Sequence, residues 1–347
     1  MKSKKQVIIG IISAISLFIL IIDSKTAITA ATSGVELCIR TVIPSLFPFF
    51  IISHILTKSL NGVSIPLLNP ITRLTGVPQG GEAILLLGLL GGYPVGAQSI
   101  EALHRTKQIS PQDAKRLLGF CNNAGPSFVF GVLSSCFTKP EYLWALWLIH
   151  ILSALLVGIL LPNKRNYQIN MLPQRTIRIT DSLKSAIQTC ALVCGWVVAF
   201  RITIAFLQRW IFGIIPPIGV TTIIGAMELV NGCMQLQSIG CEGLRFCLCS
   251  ALLAFGGLCV AMQTATVTER IGTGYYFPGK VMQTVFSFLM AYFYQIVCFD
   301  GINSYHLHPF KILSLLLITC LLYKLLFSNK KTVAFRADIV YNKQKTL

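Results

Sequence analysis

The sequence predicts an all-α polytopic membrane protein, and its composition and apolar patterning indicate this class. Of the 347 residues, 54% are hydrophobic and only 12% are charged, and the mean hydropathy is +0.70. A soluble domain carries about 25% charged residues, so most of this chain lacks the polar residues for a hydrated surface. Its apolar runs are long enough to cross a hydrocarbon core roughly 30 Å thick. We therefore expect lipid to surround most of the chain.

The formal net charge of +17 is a topology signal rather than a sign of nucleic-acid binding. The Lys and Arg residues cluster between apolar runs, and no basic helix carries interleaved aromatic residues. The 12 cysteines fall mostly inside apolar segments, without histidines at metal-ligand spacing or an extracellular loop framework. We interpret them as small core residues and predict no metal and no cofactor.

Six apolar runs predict membrane-spanning helices. The first, residues 7–22, is long for a signal peptide, so we interpret it as an uncleaved anchor. The second covers residues 34–56 and is interrupted by two prolines. The other predicted spans are 142–161, 183–212, 281–299 and 310–327.

Four further apolar stretches are interrupted by Gly, Pro or Asn: 82–100, 117–136, 216–236 and 246–265. Backbone that is unpaired at such an interruption cannot face lipid, so it is buried in protein or lines a watery cavity. The positive-inside rule is satisfied with both termini cytoplasmic if 82–100 and 216–236 are re-entrant hairpins. On this path Arg270 and Lys280 lie on the cytoplasmic side.

This path predicts two inverted repeats, because each half contains a helix, a re-entrant hairpin, a broken helix and a further helix. Secondary transporters commonly have this architecture. The predicted divisions are an N-terminal anchor helix at 1–33, a first repeat at 34–162, a basic cytoplasmic linker at 163–182, a second repeat at 183–300, and a last transmembrane helix with a basic tail at 301–347.

The interrupted stretches of the first half predict a solute-binding site. Glycine and proline there end helices inside the membrane, and free N–H groups at helix N-termini attract anions. Asparagine and serine side chains add directed hydrogen bonds. The alternative is that the glycines only allow tight helix packing. The candidate residues are Gly92, Tyr93, Pro94, Gly96, Asn122, Asn123, Gly125 and Ser127.

The second half offers counterparts to these residues. Among them, the prediction for Glu228 is the most open to refutation. A carboxylate among apolar residues costs at least roughly 2.5 kcal/mol at the bilayer centre unless it is paired, hydrated or protonated. It could bind a coupling proton or cation, form an ion pair with Arg201, or lie near the outer surface. Arg201 could instead receive a substrate carboxylate. The candidates here are Arg201, Glu228, Asn231, Gly256, Gly257 and Gln263.

The sequence contains no P-loop, HExxH or GxSxG motif and no paired carboxylates in one segment, so we predict that it is not an enzyme. The chain has no room for a nucleotide-binding domain, and any transport is therefore passive or coupled to an ion gradient. His150 lies in an otherwise uncharged span, where a hydrogen-bonded packing role is more common than a proton relay.

Several of these motifs resemble the nucleoside-recognition, or Gate, domain family of sporulation integral membrane proteins. The matching segments are 92–97 (Gly-Tyr-Pro-Val-Gly-Ala), 122–126 (Asn-Asn-Ala-Gly-Pro) and 255–258 (Phe-Gly-Gly-Leu), together with Glu228, Gly232 and Gln263. The resemblance covers roughly residues 36–294. It implies a role in endospore formation, a place in the outer forespore membrane, and movement of dipicolinic acid from the mother cell toward the forespore.

Gate domains are also similar to concentrative nucleoside transporters, which implies an elevator-like movement. We therefore predict a secondary transporter of a small anionic solute, with dipicolinate as the candidate because helix N-termini and Arg201 suit a planar dianion. The alternatives are a nucleoside or nucleobase transporter, which would use Asn122, Asn123, Gln263 and an aromatic residue, and a non-transporting membrane scaffold for spore maturation. The predicted partners are the small anion and the lipid bilayer. A coupling proton or cation and a homo-oligomer are left open, and no nucleic acid is expected.

Overall fold

The fold is all-helical wherever the structure describes it. The computed structural model describes residues 4–60, 63–78, 80–162, 169 and 178–298. These residues form fourteen α-helices joined by short 3-10 and π turns, and they contain no β-strand. The all-α prediction is confirmed for this part of the chain. The predicted span at 310–327, the basic tail and most of the basic linker lie outside the described residues.

The chain begins with a separate N-terminal helix, and the next two helices form one continuous apolar helical path. Helix α1 is Lys4–Ile22, and α2 is Ser24–Leu37 with its N-terminus capped by Asp23. A π turn at Cys38–Val42 leads directly into α3, Ile43–Leu60. The second apolar helix therefore begins well before residue 34, where the sequence analysis placed it, and its prolines do not interrupt it.

Short helices and one long helix complete the first half. Their bounds are Asn69–Thr75 for α4, Glu82–Leu90 for α5, Val95–Arg105 for α6, Pro111–Leu118 for α7 and Pro140–Leu160 for α8. Residues 119–125 between α7 and α8 are not helical, and a π turn and a 3-10 turn follow them. Helices α5 and α6 pack against each other as a pair.

The second half begins and ends with long helices, with four shorter helices between them. Its helices are Ile179–Trp210 for α9, Pro217–Met227 for α10, Leu229–Gln235 for α11, Glu242–Phe255 for α12, Gly257–Val267 for α13 and Tyr276–Cys298 for α14. Helices α10 and α11 pack as a pair, α12 packs along α14, and α2 and α3 pack along α9.

Four helical paths among the described residues are long and apolar enough to cross a membrane. They are Ser24–Leu60, Pro140–Leu160, Ile179–Trp210 and Glu242–Val267. Large apolar side chains on α1, α2 and α9 are exposed at the molecular surface, where contact with lipid replaces water as solvent. This surface is that of an integral membrane protein with several spans.

Candidate functional site

Four interruptions divide the helices in the stretches that the sequence marks as broken, and we number them in chain order. Break 1 is residues 91–94, between α5 and α6, and break 2 is the non-helical segment 119–125. Break 3 is Glu228, between α10 and α11, and break 4 is Gly256, between α12 and α13. Each predicted broken stretch therefore contains one break.

Breaks 1 and 2 lie against each other with almost no space between their backbones. Gly92 has a φ of +79°, and a Cβ on Gly125 would lie 3.0 Å from the Cα of Gly92. A Cβ on Gly96, in the first turn of α6, would overlap the carbonyl oxygen of Cys121. Pro94 directly precedes α6, where a missing N–H costs no helical hydrogen bond. The close approach of the two segments therefore requires glycine.

Asn122 is fully buried in break 2 and connects it to both halves of the chain. Its Oδ1 accepts the N–H of Ala97 at 3.3 Å, which satisfies one of the free donors in the first turn of α6. Its Nδ2 donates to the hydroxyl of Thr264 on α13 at 2.9 Å. The Asn122 side chain therefore connects break 2 with both halves of the chain.

The orientation of the Asn123 side chain is fixed by its donors. Its Nδ2 donates to the carbonyl oxygens of Gly88 at 3.0 Å and Phe120 at 2.6 Å. Both partners can only accept, so the Oδ1 must point the other way. There it accepts a hydrogen bond from the Nζ of Lys280 at 3.0 Å.

Lys280 of α14 lies at the centre of this arrangement, and its side chain is 0% exposed. Besides Asn123, its Nζ donates to the Oε1 of Gln283 at 2.8 Å and to the hydroxyl of Tyr93 at 3.3 Å. Gln283 is oriented by donation from its Nε2 to the carbonyl of His150 at 3.3 Å. The Tyr93 hydroxyl donates its own hydrogen to the carbonyl oxygen of Leu253. Three acceptors therefore surround the Nζ, and three N–H donors are the complement of an ammonium group.

The Nζ of Lys280 has no acidic partner beside it in the part of the chain that the structure describes. Its three hydrogen-bond partners are neutral, and no Asp or Glu in the described residues lies within ion-pair distance of the Nζ. A buried charge usually has an ionic partner, because removal from water is costly. Within the described residues, the Lys280 head group is therefore a buried cationic group without an ionic partner.

Tyr93 links break 1 to break 4. Its hydroxyl lies 3.4 Å from the carbonyl oxygen of Leu253, in the last turn of α12. A Cβ on Gly256 would lie only 3.0 Å from the same hydroxyl. Gly256 has a φ of +81°, the left-handed conformation that ends α12. The first-half and second-half breaks are therefore in direct contact through Tyr93.

Breaks 3 and 4 also meet through their backbones. Gly257 has a φ of +83°, and a Cβ there would lie 3.3 Å from the carbonyl oxygens of both Gly225 and Met227. A side chain at position 257 would therefore push α10 away from α13. All four breaks belong to one contiguous buried cluster.

Glu228 has a structural partner on its own helix. Its carboxylate accepts the backbone N–H of Val230 at 3.1 Å, the N–H of Asn231 at 2.7 Å and the side-chain Nδ2 of Asn231 at 2.7 Å. This is an N-cap of α11, made by a residue that is 2% exposed. Asn231 in turn contributes to the cap. The carboxylate of Glu228 is therefore buried inside the protein and fully engaged at this helix end.

Arg201 forms no hydrogen bond with the four breaks among the described residues. Its Nε donates to the hydroxyl of Ser33 on α2 at 3.3 Å, and no ion pair forms between Arg201 and Glu228 among the described residues. The ion pair between Arg201 and Glu228, one of the two roles suggested for Arg201, is therefore not formed. Arg201 lies on the face of α9 that packs against α2, and its charge is within electrostatic range of the Glu228 carboxylate in break 3.

The remaining predicted residues lie inside the protein. Ser127 is buried at the first residue of the π turn that follows break 2. Gln263 is buried on α13 and donates from its Nε2 to the sulfur of Cys259 one turn earlier. Within the described residues, no cluster of three or more His, Cys, Asp or Glu side chains suits a metal ion.

The most important residue that sequence reasoning missed is Lys280, which was taken for a cytoplasmic topology signal. Lys280, Gln283 and Ser287 are all 0% exposed and lie on one face of α14, three and four residues apart. This helical spacing of polar residues was the signal available in the sequence. His150 was expected to be a hydrogen-bonded packing residue, and its Nε2 accepts the N–H of Ala124 in break 2 at 3.2 Å.

Comparison with known proteins gives one relationship. No family model matches the chain, and no solved structure matches it significantly. The chain is similar to the sporulation integral membrane protein YlbJ of Bacillus subtilis (strain 168), with 23% identity over 313 residues and 76% of each chain covered. The chain is thus an integral, multi-pass membrane protein and a distant relative of the sporulation protein YlbJ.

Proposed function

We propose that this protein is a secondary transporter of a small anionic solute during endospore formation, with dipicolinic acid as the first candidate. One observation carries the proposal: breaks 1 and 2 and helix α14 each supply a neutral acceptor to the buried ammonium of Lys280, which has no acidic partner among the described residues. An anion that reaches the breaks is attracted by the Lys280 ammonium, because no acidic side chain in the described part of the protein neutralises that charge. Dipicolinate carries two carboxylates, so it suits such a centre better than a neutral solute.

The proposed architecture is a pair of inverted repeats, in which α5–α6 and α10–α11 are re-entrant hairpins that enter from opposite faces. The order of elements supports this arrangement. In each half a long helix precedes a packed pair of short helices, and an interrupted segment and another long helix follow. Burial of all four breaks in the protein also agrees with the rule that irregular backbone avoids lipid.

The proposed cycle moves the hairpin-bearing core relative to the long helices α2, α3 and α9, in an elevator-like manner. We place both termini in the cytoplasm and the protein in the outer forespore membrane. The similarity to a sporulation integral membrane protein supports a membrane location in a sporulating cell. Transport would run from the mother cell toward the forespore.

A second candidate is transport of a neutral nucleoside or nucleobase. The carboxamides of Asn123 and Gln283 and the ring of Tyr93 supply the hydrogen-bonding and stacking groups that such a solute needs. These carboxamides are already engaged by Lys280, which is why we place the anion first. A third candidate, a membrane scaffold without transport activity, would need none of these groups.

Uptake of dipicolinate into vesicles tests the proposal. The purified protein is reconstituted into vesicles that contain terbium, whose luminescence rises when dipicolinate enters and chelates it. We expect saturable uptake that an excess of a related aromatic dicarboxylate inhibits and that nucleosides leave unchanged. The variant Lys280→Met, which keeps the size and removes the charge, is expected to reduce uptake at least about tenfold, the effect of about 1.4 kcal/mol.

The matched control for this variant is Lys184→Met, since Lys184 is an exposed helical lysine on α9. It is expected to transport as the unmodified protein does. Saturable flux of nucleosides without dipicolinate flux would favour the second candidate. If neither dipicolinate nor nucleosides enter the vesicles, although a cooperative thermal transition shows that the protein is folded, the transport proposal would be overturned.

A further inference from the structure

The surroundings of the Lys280 ammonium are those of a bound monovalent cation. Its Nζ lies 2.8–3.3 Å from three neutral oxygens, the carboxamide oxygens of Asn123 and Gln283 and the hydroxyl of Tyr93. These oxygens come from break 2, helix α14 and break 1. Carriers that couple solute movement to a cation gradient coordinate the cation with neutral oxygens at interrupted helices in the same way.

The orientation of this oxygen shell does not depend on Lys280. The Nδ2 of Asn123 is held by two carbonyl groups, the Nε2 of Gln283 by a third, and the Tyr93 hydroxyl hydrogen by a fourth. Each side chain therefore presents its acceptor to the same point because its donors are used elsewhere. If the lysine head group were removed, a preformed ring of acceptors would remain without a donor, which is costly in a buried place.

We infer that the ammonium of Lys280 is a built-in substitute for a coupling cation, and that the carrier therefore works without a sodium or potassium gradient. The same inference assigns a latent cation site to the chain. When the side chain is shortened to alanine, the vacated space takes a small monovalent cation from solution. The transport part of this inference rests on the proposed function, whereas the latent cation site stands by itself.

Chemical rescue of the Lys280→Ala variant tests the latent site without any transport measurement. The substitution removes three carbons and the ammonium, which n-propylammonium replaces. We expect this variant to have a lowered Tm in detergent, and n-propylammonium to raise that Tm by about 3 °C or more in a saturable way. The uncharged analogue n-propanol is expected to have no such effect.

Lys280→Met is the matched control, because methionine fills the space and leaves no room for the amine. Its Tm is expected to be the same with and without n-propylammonium. A Tm of the alanine variant that does not respond to n-propylammonium, or that responds equally to n-propanol, would overturn the latent site.

The transport part is tested by replacing sodium and potassium with N-methylglucamine on both sides of the vesicle membrane. Dipicolinate uptake by the unmodified protein is expected to be unchanged, and uptake by Lys280→Ala is expected to recover at least about tenfold with n-propylammonium. Uptake that requires sodium or potassium would overturn the inference and leave the proposed function intact. Absence of uptake together with a rescued Tm would overturn the proposed function and leave the cation site intact.

Discussion

The carboxylate of Glu228 accepts three N–H groups from Val230 and Asn231, and this geometry assigns it a structural role in break 3. Both of its oxygens are occupied. A coupling proton or cation would have to displace hydrogen bonds that hold the start of α11. The residue is therefore better suited to stabilise the break than to exchange ions with either compartment.

We predict that Glu228→Ala destabilises the protein by about 1–2 kcal/mol, because it leaves two backbone donors and one side-chain donor of the cap without an acceptor. Glu228→Asp keeps a capping carboxylate and is expected to lose less. Thermal unfolding in detergent, followed by tryptophan fluorescence, measures both variants.

The control for this prediction is Glu36→Ala, which removes an exposed carboxylate that pairs with Arg40 one turn away at 2.9 Å. Its Tm is expected to change little. If Glu228→Ala had an unchanged Tm and altered the ion dependence of transport, Glu228 would be a coupling site rather than a cap.

Single residues also show where prediction from sequence reached its limit. Glycine and proline at breaks 1 and 4 are local signals, because φ freedom and a missing N–H act within one turn. Burial of Lys280 is not a local property. It depends on Asn123 and Tyr93, which lie far away in the sequence, and a lysine near the end of an apolar run looks the same when it faces the cytoplasm.

At the scale of helices, Arg116 joins the ends of two elements of the first half. It lies in the last turn of α7 and is 5% exposed. Its guanidinium donates to carbonyl oxygens at the C-terminal ends of α4 and α8, which carry unsatisfied acceptors and the negative end of the helix dipole. These acceptors are Thr75, Gly76, Gly158, Leu161 and Pro162.

We predict that Arg116→Lys lowers the free energy of unfolding by about 3 kcal/mol, although the charge is kept. A lysine head group donates from one point and cannot reach acceptors on two helix ends, so several buried carbonyls lose their donor. Arg105→Lys, at an exposed position at the end of α6, is the matched control. Equal transition temperatures for the two variants would contradict the assigned role of Arg116.

Helix boundaries divide into those that the sequence could predict and those that it could not. The predicted spans 142–161 and 183–212 agree with α8 and α9, because length and hydropathy are local properties. The start of the second helix at Ser24 was missed, because residues 24–33 are small and largely polar. That segment packs along α9, and such tertiary contacts cannot be read from hydropathy.

For the whole molecule, the proposed topology makes a prediction about the two faces of the membrane. Cys241, between α11 and α12, is the exposed cysteine among those the structure describes. Inverted repeats place it on the outer face, so a membrane-impermeant maleimide should label it from outside. The variant Cys241→Ser is expected to lose this label.

A cysteine placed at Arg105 in the Cys241→Ser background provides the opposite reporter, because the end of α6 lies on the cytoplasmic side in the proposed topology. It is expected to react only after the membrane is opened. Labelling of both positions from the same side would show that the halves are not inverted.

The Lys280 ammonium, which is covalently attached where breaks 1 and 2 meet, also has a consequence for cation leakage across the membrane. Under the proposed function, the Lys280 ammonium would repel sodium and potassium from the place where breaks 1 and 2 meet. Since this ammonium is covalently attached, it cannot dissociate as a bound cation would. An anion carried as proposed would therefore cross without opening a path for these cations through the same place.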